Sequence, residues 1–503
     1  MYHSQPGQVS FLLPFGGHLD RSNRWVRLAA LVPWAVADQA YAASFTGRRG
    51  PRALSARVAL GTLIIKERCG LTDRETVAQI RENPYLQYFL GFGEFVQEVP
   101  FDASMLVHFR SRLGMAVIQH VNEAVIASHR SRSGATKSPE DQDAHDHDQG
   151  GSGAIAPLAP AGDLIIDATC APADITYPTD LKLLNHAREI TEQVIDDLYP
   201  PVGDQTNKPR TYRRTARRLF LAAAKSRRLS AASCRTAIGK QLRFLRRNFA
   251  SIAALLAHPG TSLRLLDRIT YRKLLIAQEV YRQQEIMYRE RIHRVDERIV
   301  NLAQPHVRPI IRGKAGVPVE FGAKLSASRV NGFATLDRLS WSAFNESSDL
   351  TLQAERYRTH LGHYPATIYA DGIYRTRANR QWCAERGIRL AGPALGRPPT
   401  DPAQIAERAR AARADERARV PIEGVFGVLK RRYSLGRIMA KLAHTSESVI
   451  ALAFLVLNLA KILCLRAYST GLRIIDAYST RGHTYLDRIV TSPRDHVNDR
   501  LAA

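Results

Sequence analysis

The sequence predicts an α/β protein in which a mixed sheet is flanked by helices, carries a helical insertion and follows an all-helical N-terminal region. Two apolar runs that each lead to an aspartate, "DLIIDATCAP" (163–172) and "PATIYADGIY" (365–374), read as central strands. Between them, "VEFGAKLSASRVNGFATLDRLSW" (319–341) alternates apolar and polar residues and turns at Asn331-Gly332, a hairpin signal. Ahead of them, about 130 residues place apolar side chains at three- and four-residue spacing, the period of a helix packed on one face.

Residues 1–130 hold "RWVRLAALVPWAVADQAYAASF", "ALSARVALGTLIIKERCG", "TDRETVAQIRENPYLQYFLGF" and "SMLVHFRSRLGMAVIQHVNEAVIASH", each with helical periodicity. Thr72 followed by Glu75 predicts a capping box at the start of the third. Residues 131–162 are rich in Ser, Gly, Pro and Asp, cannot bury a core and read as a flexible linker. Within it, "DAHDHD" (143–148) offers His145 and His147 among aspartates. A polar tract supplies nothing to orient such ligands, so a solvated linker is expected there rather than a metal site. A tethered helical unit suggests that residues 1–130 form a separate domain.

The strand containing Asp167 follows, then a helical excursion over about 180–303. After the hairpin, "SDLTLQAERYRTHLG" reads as a helix, the run to Asp371 as a strand, "RANRQWCAERG" as a helix and "IRLAG" as a short strand. "RVPIEGVFGVLKRRYSLGR" (419–437) predicts a helix opened by Pro421, and "VIALAFLVLNLA" (449–460) a core helix too short to span a bilayer. These elements bound a domain at 163–465, with a C-terminal tail at 466–503.

Charge sets the class of partner. The chain of 503 residues carries 72 Lys and Arg against 47 Asp and Glu, a net charge of +25, which points to a polyanion. From Lys208 to Asn248 there are fourteen cations and no carboxylate, and "TYRRTARRLFLAAAKSRR" places Arg213, Arg214, Arg217 and Arg218 on one short helix. A one-sign run with interleaved aromatics fits binding to a phosphate backbone. The five cysteines form no CxxC pair, so neither a disulfide framework nor a zinc cluster is expected. With no charged segment leading into a long apolar one at the N-terminus, a cytoplasmic, nucleoid-associated protein without a membrane partner is expected.

Aspartates beyond the ends of neighbouring strands converge, because ligands of open α/β sheets gather there. Asp167 and Asp371 are so placed, and Glu423, at the border of an apolar helical stripe, can complete a cluster. Taken alone, Glu423 equally suits the first turn of a helix that starts at Pro421. Three hard oxygen ligands in a cationic chain suit Mg²⁺ or Mn²⁺, and two such ions about 4 Å apart serve in-line phosphodiester displacement. Asp174 and Asp180 read as turn and cap residues.

At these residues the chain resembles bacterial DDE transposases of the IS5/IS1182 insertion-sequence type. The segments are "IIDAT", "YADGIY" and "RVPIEGVFGVLKRRYSLGRIMAKL", with "NPYLQYFLGF" and "PFDASMLVHFRSRL" resembling the family's N-terminal domain. The resemblance implies an RNase H-like catalytic domain and a metal-binding triad of Asp167, Asp371 and Glu423. Related transposases carry a Tyr-x2-Arg-x3-Glu-x6-Lys signature. Arg419, Glu423 and Lys430 fit its last three positions, and Glu416 stands at its first. Arg419, Lys430 and Arg431 would then hold DNA phosphates. The implied activity is cleavage at the terminal inverted repeats of a mobile element and joining of the freed 3′-hydroxyls to target DNA, by a homodimer or larger assembly on double-stranded DNA. A metal-dependent nuclease without strand transfer and a catalytically inactive DNA-binding protein are the alternatives.

Overall fold

The computed structural model describes residues 14–45, 53–134, 160–203, 207–226, 228–311, 319–393 and 400–479. The "DAHDHD" tract, most of the expected linker and the end of the expected tail lie outside the described residues. Helices α1 (Arg24–Ala29), α2 (Trp34–Ala42), α3 (Ala56–Cys69), α4 (Asp73–Glu82), α5 (Pro84–Leu90), α6 (Met105–Arg112) and α7 (Met115–Gly134) come first. The capping box forms: the Thr72 hydroxyl accepts from the Glu75 N–H at 3.2 Å, and the Glu75 carboxylate accepts from the Thr72 N–H at 2.8 Å.

Strand β1 (Asp163–Pro172) opens the α/β part, and helices α8 (Asp180–Leu198), α9 (Arg213–Ala224), α10 (Ala231–Leu256) and α11 (Arg268–Glu290) make the insertion. Strands β2 (Arg308–Ile311), β3 (Val319–Val330) and β4 (Phe333–Ser340) follow, then α12 (Asp349–Leu361), β5 (Thr367–Tyr369), α13 (Arg377–Ala384), β6 (Arg389–Leu390), α14 (Pro402–Arg432) and α15 (Ala443–Ser479). The hairpin turns where expected, with φ of 51° at Asn331 and 81° at Gly332, the left-handed pair that a two-residue turn needs.

The six strands form one mixed sheet in the order β2-β3-β1-β5-β6, and β4 pairs with β3 beside β2. Strand β1 runs antiparallel to β3 and parallel to β5. At the far end of β1, a Cβ on Gly322 would stand 2.0 Å from the Ala171 carbonyl oxygen, so glycine is what lets β3 lie there. One face of the sheet buries Leu164, Ile166 and Ile368 against Leu350 and Ala354 of α12. The other buries Ile165, Ala327 and Leu336 against Ile422 and Leu429 of α14 and the apolar length of α15.

Three expectations need correction. The N-terminal helices do form, but they share that second core: Leu60, Phe89, Phe109 and Val125 belong to one buried cluster with α15 and the sheet. Polar side chains join the same parts. Asn458 of α15 donates to Asn122 of α7 at 2.9 Å and to the Ala334 carbonyl of β4 at 2.7 Å, and Gln119 of α7 donates to the Leu336 carbonyl at 3.0 Å. The insertion behaves otherwise, enclosing its own core of Leu184, Val194, Leu245, Leu255, Leu274 and Val280.

The second correction is that Pro421 does not open its helix. It lies inside the 31-residue α14, which starts at Pro402 with Asp401 as its cap. Proline at this site leaves the Arg417 carbonyl without its helical partner, at a cost of about 3 kcal/mol in a sealed helix. Arg417 lies on an exposed turn of the helix. Burial of Ile422, Phe426 and Leu429 and the clamp at Asp415 hold the helix together across it. The Asp415 carboxylate accepts from Arg389 at 2.7 and 2.8 Å and from the Gly392 N–H at 2.7 Å. The third correction concerns α15, which runs from Ala443 and carries its helix past 465, into the expected tail. Its segment Ala443–Ala467 is long and apolar enough to cross a membrane, but 67% of its most apolar window is buried in the core.

Candidate active site

The sheet register brings the two aspartates side by side. Ile165 of β1 pairs with Tyr369 of β5, so Asp167 and Asp371, each two residues further on, fall at matching positions of neighbouring parallel strands and on the same face. Asp167 continues within β1 opposite Ala327, whereas β5 ends just before Asp371. Asp371 is exposed and starts a tight turn, its carboxylate accepting the Gly372 N–H at 2.6 Å. Asp167 is more enclosed, with 17% of its side chain exposed. Burial pushes its pKa up to about 6; the Ala168 N–H and Arg419 oppose the rise, and Glu346 and Asp371 add to it.

Helix α14 packs across β1 and β5 and carries the third carboxylate. Glu423 is exposed, beside the fully buried Ile422. Arg419 connects the parts. Its guanidinium donates to Glu423 at 2.6 Å, to Glu416 at 2.7 Å and to Asp167 at 3.4 Å, with 13% of the side chain exposed. The bonds to Glu416 and Glu423 raise the Arg419 pKa, so the group stays cationic. Among the described residues no three His, Cys, Asp or Glu side chains already stand together as a metal-ligand cluster. A resident monocation instead bridges two of the three carboxylates.

The other expected residues divide. Lys430 and Arg431 lie on the last turn of α14, where Arg431 donates to the Gly427 carbonyl at 3.3 Å. On α9 the four arginines are not equivalent: Arg213 is paired with Asp196 at 2.8 Å, whereas Arg214, Arg217 and Arg218 line an open basic surface with Leu221 and Lys225. Asp174 is more than a turn residue, because it receives Arg437 and Lys441 and so ties the end of β1 to the segment after α14. Asp180 pairs with Arg298 within the insertion.

Sequence reasoning missed Glu346, which faces Asp167 electrostatically from between β4 and α12 and pairs with Lys324 of β3 at 3.2 Å. It also missed Tyr374, whose buried hydroxyl has its pKa raised by burial and by the nearby charges of Glu346 and Asp167. Neither sits in a spacing pattern. Glu416 carried a signal, since it is three residues before Arg419 on a helix, the reach of an ion pair.

Two family models match the chain: one described as a transposase DDE domain at residues 368–460, and one described as a transposase domain (DUF772) at residues 14–112. An uncharacterized protein, ORF8 in the nfe locus of Rhizobium meliloti, is 30% identical over 158 residues, which span 31% of this chain and 66% of that protein. No solved structure matches. The DDE match covers Asp371 and Glu423, the second match covers the helices that share a core with them, and together they place the chain among the DDE transposases of the IS1182 insertion-sequence type.

Proposed function

We propose that this transposase cuts DNA at the ends of an insertion sequence and joins the freed 3′-hydroxyls to target DNA, using Asp167, Asp371 and Glu423. The observation that carries this reading is the register that sets Asp167 beside Asp371 under a helix bearing Glu423. A mixed sheet flanked by helices, with carboxylates at neighbouring strand positions, is also what an RNase H-like catalytic domain requires.

The donor set fits divalent cations. All three side chains offer hard oxygen, and Arg419 bridges Asp167 and Glu423, which supports a cation between them. When bound there, two Mg²⁺ or Mn²⁺ ions would activate the attacking oxygen and stabilise the leaving one. The chain's own residues do the rest. The carboxylates of Asp167 and Glu423 hold positive charge between them, Arg419 in this structure, and Asp371 keeps its orientation through the Gly372 N–H. Arg419 is placed to exchange a carboxylate for a scissile phosphate, which likewise offers two oxygens to the guanidinium. Arg214, Arg217 and Arg218 supply affinity for the backbone without reading bases.

Supplying a target duplex together with a labelled duplex of the DNA flanking the coding region separates the classes. Joined products are expected. Cleavage without joining would make the protein a nuclease, and binding without cleavage an inactive DNA-binding protein.

A further inference from the structure

A cavity of about 740 Å³ opens between the turn joining α3 to α4 and the C-terminal end of α14. Lys66, Arg74, Arg110, Arg431 and Arg432 line it, against the carboxylates of Glu67 and Asp73. Both carboxylates are committed internally. Asp73 receives Arg110 at 2.7 and 3.0 Å and Lys66 at 3.2 Å. Glu67, buried on α3, accepts from the Ser434 N–H at 2.7 Å and from its hydroxyl at 2.6 Å, which fastens the end of α14 to the N-terminal helices. Arg74, Arg431 and Arg432 are exposed, and no carboxylate among the described residues pairs with them. Internal pairs thus shape the walls and leave three arginines uncompensated.

Helix α14 connects this cavity to the candidate active site. Glu423 and Arg431 are eight residues apart on it. At 1.5 Å per residue that is about 12 Å, or about three to four base-pair rises of 3.4 Å on a duplex.

The geometry points to this cavity as the seat of the DNA backbone flanking the cut, about three to four base pairs from the scissile phosphate, with α3–α4 and α14 holding it jointly. The inference rests on the reading that DNA is cut beside Glu423. Duplex DNA is the occupant favoured over other polyanions because a substrate at Glu423 has to pass along the same helix.

The test is phosphate-ethylation interference on the full-length protein, with the duplex flanking the coding region as probe. In the wild type, ethylation about three to four base pairs from the cut should block binding. The triple variant Arg74→Gln, Arg431→Gln, Arg432→Gln should lose that interference, and its log–log salt slope should flatten by roughly 0.9 per lost contact. The variant Arg214→Gln, Arg217→Gln, Arg218→Gln should flatten the slope but keep the interference. Unchanged interference in the first triple variant, with the wild-type unfolding transition and normal duplex binding, overturns the cavity while leaving the DNA reading intact. Failure of the wild type to bind any duplex overturns the DNA reading itself. Tighter binding of single-stranded RNA than of duplex, lost in the same variant, would assign the cavity to RNA and overturn the proposal.

Discussion

The N-terminal helices and the insertion helices look alike in sequence, both amphipathic and both set off from the strands, yet they are built into the molecule in opposite ways. The insertion closes its own core from α8, α10 and α11 between Leu183 and Leu302. The N-terminal helices leave an apolar face that α15 and the sheet must cover, with Asn458 satisfying Asn122 and both backbone groups of Ala334 at the seam. Independence therefore follows from where the apolar faces end up, not from the composition of the connecting segment. A chain arranged this way packs its N-terminal helices into the core beneath the proposed active site and carries its basic helix α9 on a module with its own core.

The largest effect should come from cutting the two regions out. A fragment of residues 177–307 should unfold cooperatively, whereas residues 14–134 should give no cooperative transition by calorimetry, having lost the cover of α15. A well-folded N-terminal fragment would break the comparison. A smaller effect should come from Asn458→Ala, which strands buried polar groups on α7 and β4. Loss of at least about 3 kcal/mol is expected in denaturant unfolding, three groups at roughly 1–3 kcal/mol each. The loss should appear in the transition of the shared core and leave that of the insertion in place.

Asp167 sharpens the comparison through pH. Its folded pKa of about 6 lies above the ordinary 3.8, so the folded state binds the proton more tightly. That contribution is fully present at low pH and is lost as pH rises through about 6, on the order of 2–3 kcal/mol. Asp167→Asn should therefore gain stability relative to the wild type between pH 4 and pH 7, in the shared-core transition only. The smallest effects belong to α9. Arg214→Gln, Arg217→Gln and Arg218→Gln should each flatten the salt dependence of DNA binding by roughly 0.9, while Arg213→Gln, already engaged with Asp196, should change it less.

Much of this was legible beforehand, and for definite reasons. Asp371 ends an apolar run, Asp167 interrupts one that β1 carries on to Pro172, and Asn331-Gly332 has one common use between alternating strands. The helical excursion matched α8 to α11 because its apolar period closes on itself. The full extent of α14 was not legible, since Pro421 ordinarily breaks a helix and the clamp of Arg389 on Asp415 spans 26 residues. Nor was the docking of α15, because an apolar stripe such as Ile450–Phe454–Leu455 shows that it will be buried but not which helices bury it. Arg419 carried its position in the signature, but its grip on Asp167, 252 residues away, depends on the tertiary fold.

The central claim is that Asp167, Asp371 and Glu423 act as one metal-dependent unit, and nicking of a labelled duplex flanking the coding region tests it directly. With Mg²⁺ or Mn²⁺ the wild type should nick. Asp167→Asn, Asp371→Asn and Glu423→Gln should each lose most of the activity while still binding the duplex, and any double variant should be barely worse than a single one. Nicking that persists in EDTA, or a Glu423→Gln protein that nicks at the wild-type rate, would contradict the account.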